Sequence, residues 1–387
     1  TIAESTLRPG LLYVGTDDGK VWLTPNDGGQ WEDLSGRFAG VPPLTHVSRV
    51  APSHHDTATV YVTFDNHREN DFRPFVFVST DFGRTFRPIS SNLPSDPPGS
   101  VYVIAEDPVN PNLLYVGTEV GVFASLNKGA SWFRLRSGLP TVPVYDLKVH
   151  PRDRELIAGT HGRSVMILDV APLQQYTAEV AAKPAHLFAP TIAFQYAQPP
   201  VASEPRAHRP WRVDGGPNGA VIVYRLASAS RDSARINIVS AGGDTVARLT
   251  GPASAGLNRV TWNLLVSTGP GAVAFGRGGG RFGGQGGAPV NVPGFPPGFN
   301  PRPAESRDAP DTSASPTAQA RALAAGGGGG RGGRGGGRGG GRGNARPAET
   351  SEYRVILDVA GQRLTQVLRV VEVGSGQVSV MAGAASR

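Results

Sequence analysis

The 387-residue chain contains no cysteine, only four lysines and two methionines, and these absences limit what it can be. Without cysteine the chain has neither a disulfide framework nor a zinc site built from thiolates. No apolar run approaches the length of about 18 residues that a membrane-spanning helix needs. The sequence therefore predicts no membrane span. The formal net charge is +7, and what it indicates about function depends on where the charged residues lie in the sequence.

The excess positive charge lies in one segment. Residues 270–347 hold ten arginines and three acidic residues, which accounts for the whole +7, so the rest of the chain carries no net charge. This segment contains the tract GGGGGRGGRGGGRGGGRGNAR at 326–346. Such a tract can bind RNA through phosphate contacts and arginine stacking. No Phe or Tyr is interleaved in it, so a flexible surface loop is favoured over RNA binding.

Self-similar segments recur through the first 170 residues. LLYVGTDDGKVWLT at 11–24 matches LLYVGTEVGVFAS at 113–125, and weaker copies lie at 59–65 and 155–168. Each copy follows a short strand pattern; these patterns lie at 1–5, 46–52, 101–108 and 144–151. Four short strands in each repeat of about 50 residues are typical of a β-propeller blade. The repeats predict about four blades.

A polar octet completes three of the four repeats: TPNDGGQW at 24–31, STDFGRTF at 79–86 and SLNKGASW at 125–132. We expect each octet to join the third and fourth strands of its blade. Its Asp or Asn would accept hydrogen bonds in the turn, its Gly would take a positive φ, and its aromatic ring would be buried between blades. Because the octet repeats once per blade, Asp81 is expected to be structural rather than catalytic. The predicted structural set is Asn26, Gly28, Trp31, Ser79, Asp81, Gly83, Thr85, Phe86, Ser125, Asn127, Gly129 and Trp132.

The pattern Ser-x-Asp-x-Gly-x-Thr-aromatic resembles the Asp-box (BNR) repeat of sialidases, of family-74 glycoside hydrolases and of sortilin-type propellers. Residues 1–170 are similar to a bacterial group of sortilin-like propellers often named glycosyl hydrolases or BNR-repeat proteins. Propellers of these families have six or more blades. The resemblance therefore implies that residues 1–170 are the last blades of a longer propeller, which pack on N-terminal blades of the same protein. It also implies a secreted or periplasmic location.

The second half of the chain predicts a different all-β unit. Residues 171–212 form a Pro- and Ala-rich connector. Strand patterns return at 219–227, 234–240, 245–249, 257–264, 352–361 and 363–373. They predict an immunoglobulin-like β-sandwich over 213–375, interrupted by a disordered loop at 266–350 and followed by a tail at 376–387. GLNRVTWNL followed by EYRVILDV resembles the Ig-like modules of flagellar hook-assembly proteins. The predicted fold is all-β throughout.

Ionisable residues follow the second strand of every blade, on the face opposite the octets. They are Asp17, Asp65, Glu119 and His161, and they fit either ligand binding or ordinary turn chemistry. Blade two carries a longer connection here, NHRENDFRP at 66–74, and blade four has THGRS at 160–164. Binding residues collect in such loops. The predicted ligand-binding residues are Asp17, Asp65, His67, Arg68, Asp71, Arg73, Glu119, His161 and Arg163.

Three functions fit these observations. The first is binding of a glycan or peptide on that face without catalysis, metal or cofactor. The second is a family-74-like glycoside hydrolase, for which Asp65, Asp71 and Glu119 are the candidate carboxylates. A sialidase would need an arginine cluster and a tyrosine nucleophile, and the sequence shows no such set. The spacing of His67 and His161 with Asp65 matches no metal motif. RNA binding through the Gly-Arg tract is the third.

Overall fold

The computed structural model describes residues 1–95, 99–136, 139–196, 219–267 and 345–373. The fold is all-β. Residues 1–170 form four small antiparallel sheets, and each sheet follows the order of its strands in the chain. Their strands are β1 (Ile2–Glu4), β2 (Leu12–Gly15), β3 (Val21–Thr24) and β4 (Glu32–Asp33); β5 (His46–Pro52), β6 (Val60–Asn66), β7 (Asp71–Ser79) and β8 (Arg87–Pro88); β9 (Val101–Glu106), β10 (Leu114–Thr118), β11 (Gly121–Ser125) and β12 (Phe133–Arg134); and β13 (Val144–His150), β14 (Glu155–Thr160) and β15 (Val165–Asp169).

The four sheets are arranged as consecutive blades of a propeller. The first strands of neighbouring sheets touch: β5 contacts β1 and β9, and β9 contacts β13. Blades one and two share a core that includes Tyr13 and Phe77, and blades two and three share one that includes Tyr61 and Trp132. Strands that alternate apolar residues bury one face against each neighbour, so each junction is a separate hydrophobic core.

Each octet forms the turn between the third and fourth strands of its blade. In blade two the Asp81 carboxylate accepts hydrogen bonds from the Thr85 amide at 2.9 Å and the Thr85 hydroxyl at 2.6 Å. The Ser79 hydroxyl accepts from the Gly83 amide at 2.8 Å. Gly83 has a φ of +78°, and the preceding Phe82 has +61°. Two successive left-handed residues turn the chain so that its amides point at these side chains.

The other two octets repeat this arrangement with an amide in place of the carboxylate. Asn26 Oδ1 accepts from the Gln30 amide, and Asn127 Oδ1 accepts from the Ser131 amide, both at 2.9 Å. Thr24 replaces the first serine in blade one, where it accepts from the Gly28 amide at 2.9 Å.

The aromatic residues that end the octets differ in burial. Trp132 is 1% exposed, and its indole Nε1 donates to the Ile89 carbonyl of blade two at 2.6 Å. Phe86 lies against Phe38 with ring centroids 4.2 Å apart. Trp31 is 46% exposed, so the prediction that its ring is buried between blades is wrong. The rings of Phe86 and Trp132 pack toward the preceding blade, and the described residues place no blade before blade one.

The connection between the second and third strands of blade two is not the long loop that the sequence predicted. β6 runs to Asn66 and β7 begins at Asp71, with Asn66 and Asp71 paired across the hairpin. A single 3-10 turn at His67–Glu69 joins them, and Asn70 closes it with a φ of +58°. Strand pairing of the polar residues therefore replaces the loop, so Asp71 and Arg73 lie on a strand.

Residues after 170 form a two-layer β-sandwich whose sheets share one core. A three-stranded sheet has the order β16 (Ala185–Leu187), β18 (Ala220–Leu226) and β21 (Gly256–Trp262). A five-stranded sheet has the order β17 (Ala193–Tyr196), β25 (Gln362–Val373), β24 (Ser351–Val359), β19 (Ala234–Val239) and β20 (Thr245–Gly251). Ile222 of the first sheet and Val355 of the second are both fully buried between the layers.

The 171–212 segment is more than a connector. Helices α1 (Ala171–Gln174) and α2 (Ala178–Ala182) lead into β16 and β17, which join one sheet each. The sequence prediction missed these strands because they are short and lie beside proline. Residues 197–212 fall outside the described ranges.

The residues at both ends of the segment predicted as a loop, 266–350, form strands. β22 (Leu265–Ser267) pairs antiparallel with β23 (Ala345–Pro347), and the Ala348 amide donates to the Leu264 carbonyl at 2.7 Å. Residues 326–344 of the Gly-Arg tract and the 376–387 tail lie outside the described residues. In the part of the chain that is described, no helix has the length and apolarity needed to span a bilayer.

Candidate functional site: an aromatic rim opposite the octets

The inner strands of blades two, three and four each contain a β-bulge at the same place. The register shifts between Val47 and Arg49 in β5, at the β9 residues facing Gly117 and Thr118, and between Val144 and Asp146 in β13. The extra residues are Ser48, Tyr102 and Tyr145, which occupy equivalent positions in the three repeats. A bulge redirects the side chain of its extra residue and is common beside binding sites.

Four rings form a continuous row across blades two to four at this rim. The ring centroids lie 6.2 Å apart for His67 and Tyr102, 4.4 Å for Tyr102 and Tyr145, and 5.6 Å for Tyr145 and His161. The two tyrosines lie at an interplanar angle of 34°. Tyr102 is buried by its neighbours, whereas Tyr145 remains 45% exposed. The row therefore offers the Tyr145 ring to solvent, with one histidine at each end.

Two carboxylates lie behind this row. The Tyr102 hydroxyl donates to Glu119 Oε2. Burial raises the pKa of the Tyr102 phenol far above its ordinary value, and Glu119 raises it further. Asp65 is buried, and its Oδ2 lies 2.5 Å from His67 Nδ1. Each carboxylate thus fixes one ring of the row, since the hydrogen bond sets the orientation of that side chain.

A salt bridge crosses the inner strands beside the bulges. Arg49 of blade two reaches Asp146 of blade four with an N···O distance of 2.5 Å. Both residues immediately follow a bulge residue, and the equivalent residue of blade three between them is Val103. Both side chains are partly exposed, so the pair adds little stability but links blades two and four below the aromatic row.

Three of the predicted ligand-binding residues act electrostatically on His46. His46 pairs in register with Asp65. Burial lowers the pKa of His46; Asp65 opposes this shift, Arg68 adds to it, and Asp17 opposes it more weakly. Asp17, Asp65 and Arg68 therefore share one electrostatic environment.

Asp71 and Arg73 belong to a different arrangement. Arg73 Nε and Nη2 donate to the two Asp71 oxygens at 2.8 and 2.7 Å, and the guanidinium lies 5.1 Å from the Phe75 ring centroid. The hydrogen bonds from Arg73 lower the pKa of Asp71. A carboxylate held in this bidentate pair is a poor general acid, which removes Asp71 from the catalytic candidates.

The turn of blade four supplies His161 and Arg163. The His161 amide donates to the Pro143 carbonyl at 2.9 Å, which holds the turn against the start of β13 and the ring against Tyr145. Arg163 lies two residues further along the same exposed turn. Within the described ranges, no three His, Asp or Glu side chains converge in a way that would hold a metal ion.

Sequence reasoning missed the two tyrosines at the centre of the row. Their signal is the dipeptide Val-Tyr at the start of two inner strands, VYVIAEDP at 101–108 and VYDLKVHP at 144–151. An alternating strand would place Tyr102 and Tyr145 on a blade face with no special role. The bulge directs these two side chains toward the rim. The alternation of apolar and polar residues in the sequence does not reveal a bulge.

Comparison with known proteins finds solved structures of low similarity to this chain. No family model matches the sequence, and no curated protein matches it. A GH74 xyloglucanase from Xanthomonas campestris is 16% identical with a TM-score of 0.36, and the match covers 67% of this chain and 36% of the xyloglucanase. YCF48 from Cyanidioschyzon merolae is 17% identical with a TM-score of 0.29, covering 46% of this chain and 56% of YCF48.

The extracellular domain of a hybrid two-component system from B. thetaiotaomicron is 14% identical with a TM-score of 0.33. That match covers 44% of this chain and 20% of the other protein. The chain therefore spans well under two thirds of each of these proteins.

Proposed function

We propose that this chain belongs to a secreted or periplasmic Asp-box propeller protein and that the aromatic rim binds a glycan without cleaving it. The observation that carries this proposal is the Tyr145 ring. It is set on a β-bulge, supported from behind by Tyr102 and half-exposed at the rim. The hydrogen bonds shared by the three octets support the Asp-box assignment. The secreted or periplasmic location of Asp-box propellers supports the same location for this protein.

The chemistry of the row suits a sugar. A pyranose ring has an apolar C–H face, which stacks on an aromatic ring, and an edge of hydroxyl groups that donate and accept hydrogen bonds. Tyr145 provides the flat apolar surface, and its own hydroxyl adds a polar group. His67 and His161 lie at either end of the row and can hydrogen-bond to hydroxyl groups of adjacent sugar units.

Hydrolysis is the second candidate, and one observation favours it. Tyr102 and Glu119 form a hydroxyl–carboxylate pair of the kind that a tyrosine nucleophile requires. Two features oppose catalysis. The raised pKa of Tyr102 disfavours the phenolate, and Asp65 is engaged by His67. Binding without cleavage is therefore the better-supported function.

A polysaccharide panel separates these functions. Affinity gel electrophoresis with β-glucan, xylan, chitin and pectin detects binding, and a reducing-end assay on the same samples detects cleavage. We expect retardation by at least one polysaccharide and no new reducing ends. Release of reducing ends that Glu119→Gln abolishes would establish the hydrolase instead. Binding of peptides from a random library, with no retardation by any polysaccharide, would replace the glycan with a peptide ligand.

A further inference from the structure

The two outer faces of the sandwich differ in what covers them. On the three-stranded sheet, Val223 and Leu257 pack against Tyr176 and Phe188, and Leu257 also packs against the core of blades three and four. Arg225 on this face is only 4% exposed, because it lies under the same segment and donates to the Tyr176 hydroxyl at 3.2 Å. The charged side chains on the outer face of the five-stranded sheet, on the other side of the sandwich, remain exposed.

Five arginines lie on that exposed face and come from four adjacent strands. They are Arg363 and Arg369 of β25, Arg354 of β24, Arg235 of β19 and Arg248 of β20. Their neighbours along the strands, such as Val355 and Ile236, are fully buried in the sandwich core. Because successive side chains of a strand point to opposite sides, the five arginines share one side of the sheet. We call this surface the arginine face.

Strand pairing places three of these arginines in a diagonal stripe. Arg369 lies diagonally opposite Arg354 on the next strand, and Arg354 lies diagonally opposite Asn237. Asn237 lies directly opposite Arg248. Cross-strand neighbours of this kind are about 5–8 Å apart. The stripe Arg369–Arg354–Asn237–Arg248 therefore crosses four strands without an acidic residue in it.

Most of the positive charge of the arginine face is not neutralised by the protein. Arg363 pairs with Asp358, with Nε 3.0 Å from Oδ1. The other four arginines make no salt bridge or side-chain hydrogen bond within the part of the chain that the structure describes. Glu352, directly opposite Arg369, is the second acidic residue of the face. Five arginines against two acidic residues leave a net charge of +3.

The longer stretches of the chain outside the described residues do not complement this charge. Residues 197–218, 268–344 and 374–387 each contain more arginines than acidic residues. Charge complementarity therefore points to a partner other than these segments, and one that carries several negative charges.

Exposed apolar side chains lie among the arginines and narrow the choice of partner. Val367, directly opposite Arg354, is 54% exposed, and Phe194 of β17 is 48% exposed. A phospholipid headgroup layer offers phosphates, which guanidinium groups bind through paired hydrogen bonds. It also offers an apolar phase below the headgroups that accepts side chains such as Val367 and Phe194. A nucleic acid or an acidic polysaccharide supplies the charge without the apolar phase.

We propose that the arginine face binds the surface of a membrane that contains anionic phospholipids. A headgroup layer extends in two dimensions, so arginines on four strands can contact it at once. The stripe binds lipid phosphates, and Val367 and Phe194 lie at the boundary between headgroups and acyl chains. The propeller packs on the opposite side of the sandwich and stays clear of this contact.

Cosedimentation of the full chain with sucrose-loaded vesicles tests this proposal. The wild type should bind vesicles made of equal parts of phosphatidylcholine and phosphatidylglycerol, and it should not bind vesicles of phosphatidylcholine alone. Arg248→Gln, Arg354→Gln and Arg369→Gln should each weaken binding about fivefold, and the triple variant should weaken it about a hundredfold. Salt at about 1 M should release the wild type, since the Debye length then falls to about 3 Å.

The matched control removes the same charge elsewhere. Arg84→Gln/Arg87→Gln/Arg259→Gln changes exposed arginines of blade two and of the three-stranded sheet, and it should bind anionic vesicles as the wild type does. Phe194→Ala should weaken vesicle binding and leave retardation by polysaccharide unchanged. Melting temperatures establish that each variant is folded.

Three results would overturn the proposal. The first is a wild type that does not bind the anionic vesicles. The second is unchanged binding by the folded stripe variant, because the attraction would then come from another basic segment, or equal losses in the two triple variants, because net charge alone would then govern binding. The third is stripe-dependent binding of double-stranded RNA that is tighter than binding of the vesicles, which would replace the membrane with a nucleic acid.

Discussion

The hydroxyl of Tyr61 in blade two donates to the buried carboxylate of Glu106 in blade three at an O···O distance of 3.0 Å. Glu106 also accepts from the Ser53 hydroxyl at 2.7 Å and from the His54 amide at 2.6 Å. The carboxylate is therefore buried, and the three groups that donate to it all belong to blade two. This network joins two blades at the end opposite the aromatic rim.

Removal of this carboxylate should cost substantial stability. Glu106→Ala leaves three donors without an acceptor and is expected to lower the free energy of unfolding by about 3 kcal/mol. Glu106→Gln keeps one acceptor and should cost less. Urea denaturation measures both. Glu4→Ala, at the exposed equivalent position of blade one, is the control; a loss in Glu106→Ala no larger than in this control would contradict the structural role of the network.

Trp132 and Trp31 occupy the same octet position, but Trp132 is buried and Trp31 is exposed. Their substitutions should therefore change the free energy of unfolding by different amounts. Trp132→Ala removes a buried ring and its hydrogen bond to Ile89, and it should lower the free energy of unfolding by about 3–5 kcal/mol. Trp31→Ala should change it by less than about 1 kcal/mol. Comparison of the denaturation midpoints of the two variants checks this prediction. Equal losses of stability in the two variants would mean that another protein surface covers Trp31 in solution.

Asp81 should contribute stability and not binding. Asp81→Ala removes the acceptor for Thr85 and is expected to destabilise blade two by about 1 kcal/mol. Asp81→Asn should be milder, because Asn26 and Asn127 perform the same task in the other octets. Retention of the wild-type melting temperature with loss of polysaccharide retardation would refute the structural role.

The lowered pKa of Asp81 predicts a loss of folding stability at acid pH. Hydrogen bonds from Thr85 lower the pKa of Asp81 to about 2, whereas an unfolded aspartate has a pKa of about 3.9. Because the folded-state pKa is lower, the contribution is present above the unfolded value and is lost as the pH falls from about 3.9 toward 2. Asp81→Asn removes this part of the pH dependence.

The lowered pKa of His46 predicts a loss of stability in the same direction, but at milder pH. Burial lowers the pKa of His46, so the folded chain favours the neutral imidazole. An unfolded histidine has a pKa of about 6.5, so stability from this group is complete above that value and declines as the pH falls through the lower folded value. His46→Gln should flatten the stability profile below about pH 6.5. An unchanged profile would show that His46 does not control it.

The propeller repeats were predictable because a half-buried strand alternates with a period of two residues and a blade repeats four such strands. Octets with glycine at a positive φ marked the turns directly, as Gly83 shows. The sandwich strands were predicted for the same reason, including β24 and β25. β16 and β17 were not, since three or four residues beside proline give too short a pattern to recognise.

The candidate site was predicted only at its edges. Asp65, Glu119 and His161 lie at equivalent positions at the end of the second strand of their blades or just after it, and His67 follows in the hairpin of blade two. Such positions are visible in sequence. Tyr102 and Tyr145 depend on a register shift, which follows from pairing with the neighbouring strand and not from the local residues. The engagement of Asp71 by Arg73 likewise needed side-chain geometry, because both residues read equally well as ligand contacts.

The most direct test of the glycan-binding proposal is affinity electrophoresis of Tyr145 variants in the polysaccharide that retards the wild type most. Tyr145→Ala should weaken binding by about tenfold, which corresponds to about 1.4 kcal/mol, while Tyr145→Phe should retain most of it because the stacking ring remains. Phe194→Ala removes a similarly exposed ring from the sandwich and should bind as the wild type does. Wild-type retardation of a folded Tyr145→Ala variant would contradict the account.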